Sequence, residues 1–167
     1  RADALLAKSD SRQRNVGDEL YSDYHDNRVR LIQYLTGPGH GKPLDVAIRM
    51  AQKLVDRIIF VAFCEDRELL PARSLFRAWK EIPPFYHVTN PRWQNFLSLF
   101  RNINEGSPSG DVPGYDGGLF KQDDDVDNLQ LEDRWTDFFR NIGEYDFAST
   151  IDVDILGHLF EKSIKHI

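Results

Sequence analysis

The chain has 167 residues, of which 41% are hydrophobic, 12% aromatic and 29% charged, with a formal net charge of −6. This length and composition are typical of a single folded domain and exclude an intrinsically disordered segment. The longest apolar run, Ile58 to Cys64, is far shorter than the ~20 residues of a transmembrane helix, so we expect no contact with a membrane. A single cysteine, Cys64, excludes an internal disulfide and fits a reducing, cytoplasmic location.

The charge is unevenly distributed along the sequence. Residues 1–83 contain 14 Lys/Arg and 12 Asp/Glu, whereas residues 84–167 contain 7 and 15. This acidic balance argues against a dedicated DNA-binding domain, because such domains gain most of their affinity by neutralising phosphates. Local basic clusters could still contact a DNA backbone, and we name Arg67, Arg73 and Arg77 as candidates.

Apolar spacing predicts helices in chain order. The first would bury Leu20, Tyr21, Tyr24, Leu31, Ile32 and Leu35, with Asp18 as its N-cap. After the break at Gly37–Gly41, the strongest pattern begins near Pro43 and continues to Ala62. Residues Ile58 to Phe63 alone would also suit a buried strand, but the spacing of the preceding residues favours a helix.

The second half continues the pattern. Pro71 is expected to begin a short helix through Trp79, and Asn90–Pro91 reads as an N-cap and first helical position. Trp93, Phe96, Leu97, Phe100 and Ile103 would supply that helix's buried face. Two more helices are predicted, one with Trp135, Phe138, Phe139 and Ile142, and one from Asp152 to Ile164.

The predicted fold is therefore all-α, an irregular bundle of about six helices with one long Gly/Pro-rich loop. We expect one helical domain over 1–167, in which 1–17 could be the tail of a preceding domain and 105–130 form the long loop and an acidic segment. The chain starts at Arg1 without methionine and stops while a helical pattern is still running, so we interpret it as a fragment of a longer protein.

Several segments resemble catalytic or ligand-binding motifs but lack residues that those motifs require. Gly37–Lys42 is one residue short of a phosphate-binding loop, and no lysine has an acid two residues before it, as a Mg²⁺-dependent nuclease site requires. Ile82–Phe85 resembles the Asn-Pro-Pro-Phe motif of amino-methyltransferases, but isoleucine cannot accept a hydrogen bond from the target amine.

The candidate metal sites fail in the same way. Asp123, Asp125 and Asp127 lack the glycine and glutamate of a calcium loop, and His158 with Glu161 lacks further ligands. The sequence predicts no catalytic, metal or cofactor-binding residue. Arg57, within a very apolar helix, is expected to pair with a carboxylate in a mostly buried layer.

Three blocks together resemble a known family. They are LVDRIIFVAFCEDRELLP (54–71), YDGGLF (115–120) and YDFASTIDVDILGHLFEKSI (145–164). Their order and spacing resemble the helical region of fused type IIG restriction–modification proteins. The last block is the most specific, because Leu156, Gly157, Phe160 and Glu161 match the family's Leu-Gly-x-x-Phe/Tyr-Glu helix. Glu68 departs from the family, which commonly has glycine after Glu-Asp-Arg.

The resemblance implies a connector between an N-terminal Mg²⁺-dependent nuclease and an adenine N6-methyltransferase that uses S-adenosylmethionine. Both flanking domains, and DNA through the parent protein, would be its partners, and it would hold no catalytic residue itself. Two alternatives stay open: the helical domain of a nuclease-free, phage-defence methyltransferase, and a free-standing protein-interaction module.

The same resemblance suggests which residues meet the flanking domains. Glycines would permit sharp turns and close packing of another backbone. Leu119 and Phe120 would anchor their loop either on the bundle or on the methyltransferase, and Glu161 would cap or pair with a group of the next domain. The interface candidates are Gly117, Gly118, Leu119, Phe120, Gly157, Phe160 and Glu161.

Overall fold

The structure of the chain is a computed structural model. The structure describes residues 2–115 and 118–147, with side chains from residue 18 onward. Within those residues all regular elements are helical and no β-strand occurs, so the predicted all-α class is confirmed. The elements are α1 (Ala2–Thr36), α2 (Leu44–Asp66), α3 (Ser74–Lys80), α4 (Pro91–Glu105), a 3₁₀ turn (Gly118–Phe120), α5 (Asp124–Asp127) and α6 (Trp135–Ile142).

The described residues divide into two compact units. The first contains the residues up to Asp56 together with 145–147, and the second contains Arg57–Glu144. The boundary falls within the residue range of α2, between two consecutive positions of one helix.

The first unit is built from α1 and the beginning of α2. Leu20, Tyr24, Leu31 and Leu35 of α1 are buried, as the spacing predicts, whereas Tyr21 is 43% exposed. The prediction that Asp18 is an N-cap is wrong, because α1 already begins at Ala2. A residue inside a continuous helix has no unpaired first-turn N–H groups to cap.

A polar contact lies within this unit. Gln52 is only 5% exposed, and its amide Nε2 donates to the Tyr24 hydroxyl and, at 3.2 Å, to Asp56 Oδ1. The hydroxyl of Tyr145 donates to the carboxylate of Asp23. The two bonds of Gln52 satisfy a buried amide, which would cost free energy if it had no partner.

The glycine-rich segment between α1 and α2 is a tight turn. The Gly41 amide donates to the Gly37 carbonyl at 2.9 Å, and Lys42 N donates to Leu35 O at 2.9 Å. Gly39 and Gly41 have φ angles of 97° and 57°, which glycine adopts without steric cost. These residues therefore form the predicted break between α1 and α2.

The second unit has an aromatic core. The buried face predicted for α4 is confirmed, because Trp93, Phe96, Leu97, Phe100 and Ile103 are all buried. α3 packs against α4 and α6, and α4 packs against α6 and the 3₁₀ turn. The residues from Ile58 to Phe63 are helical, so the helix interpretation of that apolar run is confirmed. The helix expected from Pro71 begins three residues later, at Ser74.

The long loop after α4 is compact. Ser107 N donates to Val112 O, and Val112 N donates to Ser107 Oγ, each at 2.9 Å. Tyr115 N donates to Ile103 O, near the end of α4, also at 2.9 Å. Gly106 and Gly114 lie back to back, since a Cβ on Gly114 would stand 3.1 Å from the carbonyl carbon of Glu105. This is the geometry of an Ω-loop whose ends are pinned together.

The acidic segment is partly helical. α5 spans Asp124–Asp127, and the Asp123 side chain accepts from Asp125 N at its first turn. The helix predicted from Asp152 to Ile164 lies outside the described residues. None of the described helices is both long enough and apolar enough to cross a membrane.

Candidate functional site

The best-defined polar site of the second unit is built around Arg57. This side chain is 1% exposed, although it belongs to an apolar stretch of α2. Its Nε donates to the carbonyl of Leu119 at 2.7 Å and its Nη2 donates to the carbonyl of Lys121 at 3.0 Å. One arginine thus holds two carbonyls of the segment that contains the 3₁₀ turn.

The guanidinium of Arg57 also lies between aromatic rings and a carboxylate. Its Cζ is 5.3 Å from the ring centroid of Phe100 and 5.6 Å from that of Phe120. Its Nη1 lies 3.9 Å from Asp127 Oδ1. The predicted pairing with a carboxylate is therefore present, but backbone carbonyls are the closer partners. We call Arg57 with the Leu119 and Lys121 carbonyls the Arg57 clasp.

Burial lowers the pKa of the Arg57 guanidinium, and the carboxylates of Asp127 and Asp123 oppose this shift. Arginine nevertheless stays protonated in proteins, because its intrinsic pKa is so high. The group therefore cannot act as a general base. What it can do is fix the position of a loop by charge-assisted hydrogen bonds.

A cavity of about 340 Å³ adjoins the clasp. Its wall combines the aromatic faces of Phe100 and Phe120 with charged and amide side chains. The lining residues are Arg57, Leu97, Phe100, Arg101, Asn104, Glu105, Phe120, Gln122, Asp127 and Asn128.

The other end of the same segment is also attached to α2. The Tyr115 hydroxyl donates to the carbonyl of Leu69 at 2.7 Å, and its ring meets Phe60 edge-on with centroids 6.0 Å apart. Phe60 contacts Phe120 as well, at 5.4 Å. The blocks 54–71 and 115–120, which lie far apart in sequence, therefore meet in one place.

The interface candidates take different positions. Phe120 is 5% exposed and packs on Phe60 of α2 and Phe100 of α4. Its ring is therefore anchored on the helices of the described chain, which is one of the two positions expected from the sequence. Leu119 is half-buried and Gly118 is exposed. Gly117, Gly157, Phe160 and Glu161 lie outside the described residues.

Glu65 is a second buried charged group. It is 7% exposed, and its Oε2 accepts from Leu75 N at 3.1 Å, in the first turn of α3. Burial raises the pKa of Glu65 to about 7, while its hydrogen bonds to the α3 backbone and the charge of Arg73 act in the opposite direction. The carboxyl therefore caps α3 from α2 and titrates near neutral pH.

Cys64 is buried, as predicted for a small hydrophobic residue. Burial raises the pKa of its thiol to about 11. Because the thiolate is the nucleophilic form, this cysteine is inert at neutral pH.

The three candidate DNA-backbone arginines are all exposed. Arg67 lies over the Phe63 ring at 5.0 Å, and Arg73 lies over the Phe76 ring at 4.1 Å. Arg77 pairs with Glu81, the residue directly after α3, with 3.2 Å between Nε and Oε2. An arginine already paired with a carboxylate offers less net charge to a phosphate.

A cation–aromatic cluster that includes one of these arginines, Arg73, is not predicted from the sequence. Phe76 and Trp79 of α3 lie 6.2 Å apart, and four cations from three helices or their flanks surround them. We call this cluster the α3 surface. It consists of Arg73, Phe76, Trp79, Lys80, Arg92 and Arg140. Only the repeated alternation of basic and aromatic residues from 73 to 80 could have indicated it.

The sequence does not predict a metal site at Asp123, Asp125 and Asp127. Asp123 caps α5 and Asp127 faces Arg57. Across the described part of the chain, no group of three or more His, Cys, Asp or Glu side chains could hold a metal ion.

Comparisons with known protein families, curated protein sequences and solved structures each found no match.

Proposed function

We propose that this chain is the helical connector of a restriction–modification DNA methyltransferase and endonuclease. Its work is mechanical: it holds the nuclease and the methyltransferase at a fixed separation around DNA. In this proposal Mg²⁺ serves the nuclease and S-adenosylmethionine serves the methyltransferase, and both bind outside the connector.

The observation that supports the proposal is the Arg57 clasp. Two of the sequence blocks that resemble the restriction–modification family, 54–71 and 115–120, are joined by the bond from Arg57 to Leu119. A second bond of Arg57 holds Lys121, the residue directly after the second block. The resemblance therefore concerns one packed arrangement rather than scattered surface positions. Buried, charge-assisted hydrogen bonds that attach a loop to a helix are strong and directional. They suit a domain that must keep two neighbouring domains in a fixed geometry.

A second observation concerns the one departure from the family pattern. Glu68 has a φ of 61°, in the left-handed region. Glycine adopts this region without steric cost, whereas other residues are strained there. The backbone thus has the conformation that the family's usual glycine would favour.

The test is to express the complete protein in a bacterial host that lacks DNA methylation and to map modified bases in the host DNA. The proposal predicts N6-methyladenine at one defined sequence, and Mg²⁺-dependent cleavage of unmodified DNA by the purified protein. A matched host with an empty vector is the control.

The other outcomes identify the alternatives. Methylation without cleavage would favour a nuclease-free, phage-defence methyltransferase and would contradict the connector role between two enzymes. Absence of both activities from a soluble, folded protein would overturn the proposal and leave a protein-interaction module.

A further inference from the structure

The second unit is polarised in charge. Residues 67–100 contain five Lys/Arg and two Asp/Glu, whereas residues 105–144 contain three and eleven. The unit is acidic as a whole, but the stretch that forms α3 and the start of α4 is basic. A net charge averaged over the whole chain conceals such a patch.

The α3 surface concentrates this charge around two rings. Arg73 and Lys80 lie 4.1 Å and 5.5 Å from the centroid of Phe76. Arg92 Cζ lies 4.8 Å from the centroid of Trp79. Arg140 Cζ, from α6, lies 4.6 Å from the same ring. Four cations therefore lie within 5.5 Å of two adjacent rings, whereas a cation–π pair contains only one cation.

Three acids adjacent to this surface have other partners. Asp137 accepts from Trp79 Nε1 at 2.8 Å, and Glu81 pairs with Arg77. Asp133 accepts from the first-turn amides of α4. Arg73, Lys80, Arg92 and Arg140 form no ion pair with any carboxylate that the structure describes. The charged groups of these four side chains are therefore not held by a carboxylate, although Arg73 acts on the charge of Glu65 at longer range.

Stacking also orients the arginines. A guanidinium that lies over a ring uses its face for the aromatic contact and keeps N–H donors at its edge. Arg92 is further fixed, because its Nε donates to the Trp79 carbonyl at 3.0 Å. Edge donors held in place lose little conformational entropy when they bind an anion.

We propose that the α3 surface binds the phosphate backbone of DNA. Regularly placed phosphates match several separated, oriented cations, and the half-buried rings serve to position the cations. Backbone contact of this kind adds affinity independent of sequence. The inference rests on the proposed function, because an enzyme that acts on DNA brings a duplex into contact with its surface.

The experiment measures binding of the complete protein to a labelled duplex of about 20 bp, two helical turns, by fluorescence anisotropy. The duplex has an arbitrary sequence, and Mg²⁺ and S-adenosylmethionine are omitted. Two double variants remove charges: Arg73→Asn with Lys80→Gln, and Arg92→Gln with Arg140→Gln. Asparagine suits position 73, where φ is 59°.

Each double variant should weaken binding about tenfold or more and reduce the slope of log K against log salt by about 2, because each phosphate contact contributes about 0.9. The control variant, Arg101→Gln with Arg134→Gln, loses the same charge elsewhere. Arg134 also lies over a tryptophan, 5.3 Å from the Trp135 centroid, but it pairs with Glu132 at 2.9 Å. The DNA affinity of this control variant, and the slope of its log K against log salt, should stay close to those of the unchanged protein.

Equal affinity and equal slope for the surface and control variants would overturn the inference. Equal competition by a polyglutamate peptide would overturn the assignment to DNA. Circular dichroism and urea unfolding separate a binding defect from unfolding. If methylation in cells persists while the surface variants bind normally, the inference alone fails. If the surface binds DNA but the protein modifies none, the proposed function fails.

Discussion

The guanidinium of Arg57 lies 5.6 Å from the ring centroid of Phe120 and donates to the carbonyl of Leu119, the residue just before it. The ring and the carbonyl belong to one 3₁₀ turn, so a single side chain of α2 fixes both the backbone and the side chain of that turn. The stability of the segment should accordingly depend on this arginine.

Replacing Arg57 with methionine should lower the free energy of unfolding by about 3 kcal/mol, because two carbonyls lose charged donors in a buried place. Urea denaturation monitored by circular dichroism measures the change. Arg101→Met is the matched control, since Arg101 borders the same cavity but is exposed. A loss at position 57 no larger than that at position 101 would show that the clasp does not stabilise the fold.

Glu65 should make stability depend on pH. Its pKa rises from an ordinary value of 4.5 to about 7 in the folded chain. The folded state therefore binds more protons than the unfolded state between these values, and this contribution to stability is lost as pH rises through about 7. Glu65→Gln, which mimics the protonated acid, should remove the decline.

The comparison is made by urea titrations of both proteins at steps between pH 4.5 and 8. The difference in unfolding free energy between Glu65→Gln and the unchanged protein should grow with pH. A difference that is constant across the range would show that Glu65 does not titrate as described.

The first turn of α4 should depend on Asp133 rather than on Asn90. Asp133 accepts from Arg92 N at 3.3 Å and Trp93 N at 3.1 Å, whereas the Asn90 side chain makes no cap bond. Asp133→Ala should cost about 1–2 kcal/mol, the range for loss of a helix cap. Asn90→Gly should be neutral or slightly stabilising, because φ is 54° at this position. Thermal unfolding of the two variants measures these changes in stability. A larger loss for Asn90→Gly than for Asp133→Ala would refute the assignment of Asp133 as the cap of α4.

Glu68→Gly should stabilise the protein. The left-handed backbone costs a residue with a Cβ about 1–2 kcal/mol, and part of the gain is offset because glycine loses more entropy on folding. We expect a net gain of about 0.5–1 kcal/mol in urea unfolding. Glu68→Ala is the control for loss of the carboxylate alone, and an equal effect of both variants would exclude backbone strain as the cause.

How much the sequence predicts depends on whether a feature is local. The period of apolar residues correctly predicts α2 and the whole buried face of α4, because helical spacing is a property of neighbouring residues. Asn90 is correctly predicted as the residue before α4, but its backbone is left-handed and its side chain makes no cap bond. The carboxylate of Asp133, 43 residues further on, accepts from the first-turn amides instead. Tertiary capping leaves no local pattern.

The Arg57 site shows the same limit. A charge in an apolar helix indicates that a partner exists, and the sequence predicts a carboxylate. The closest partners are backbone carbonyls, which every residue has and which no sequence motif distinguishes. Likewise, Arg140 joins the α3 surface from about 60 residues away, so only the packing of α3 against α6 brings them together.

The most direct test of the connector role uses the complete protein and the Arg57→Met variant, with Arg101→Met as control. DNA fragments are sequenced to give the distance between each methylated site and the position of cleavage. The connector role predicts a fixed distance for the unchanged protein and for the control. It predicts a broadened or shifted distance for Arg57→Met, because in this proposal the Arg57 clasp keeps the connector rigid. Absence of cleavage, or an unchanged distance in an Arg57→Met protein whose stability has fallen, would contradict it.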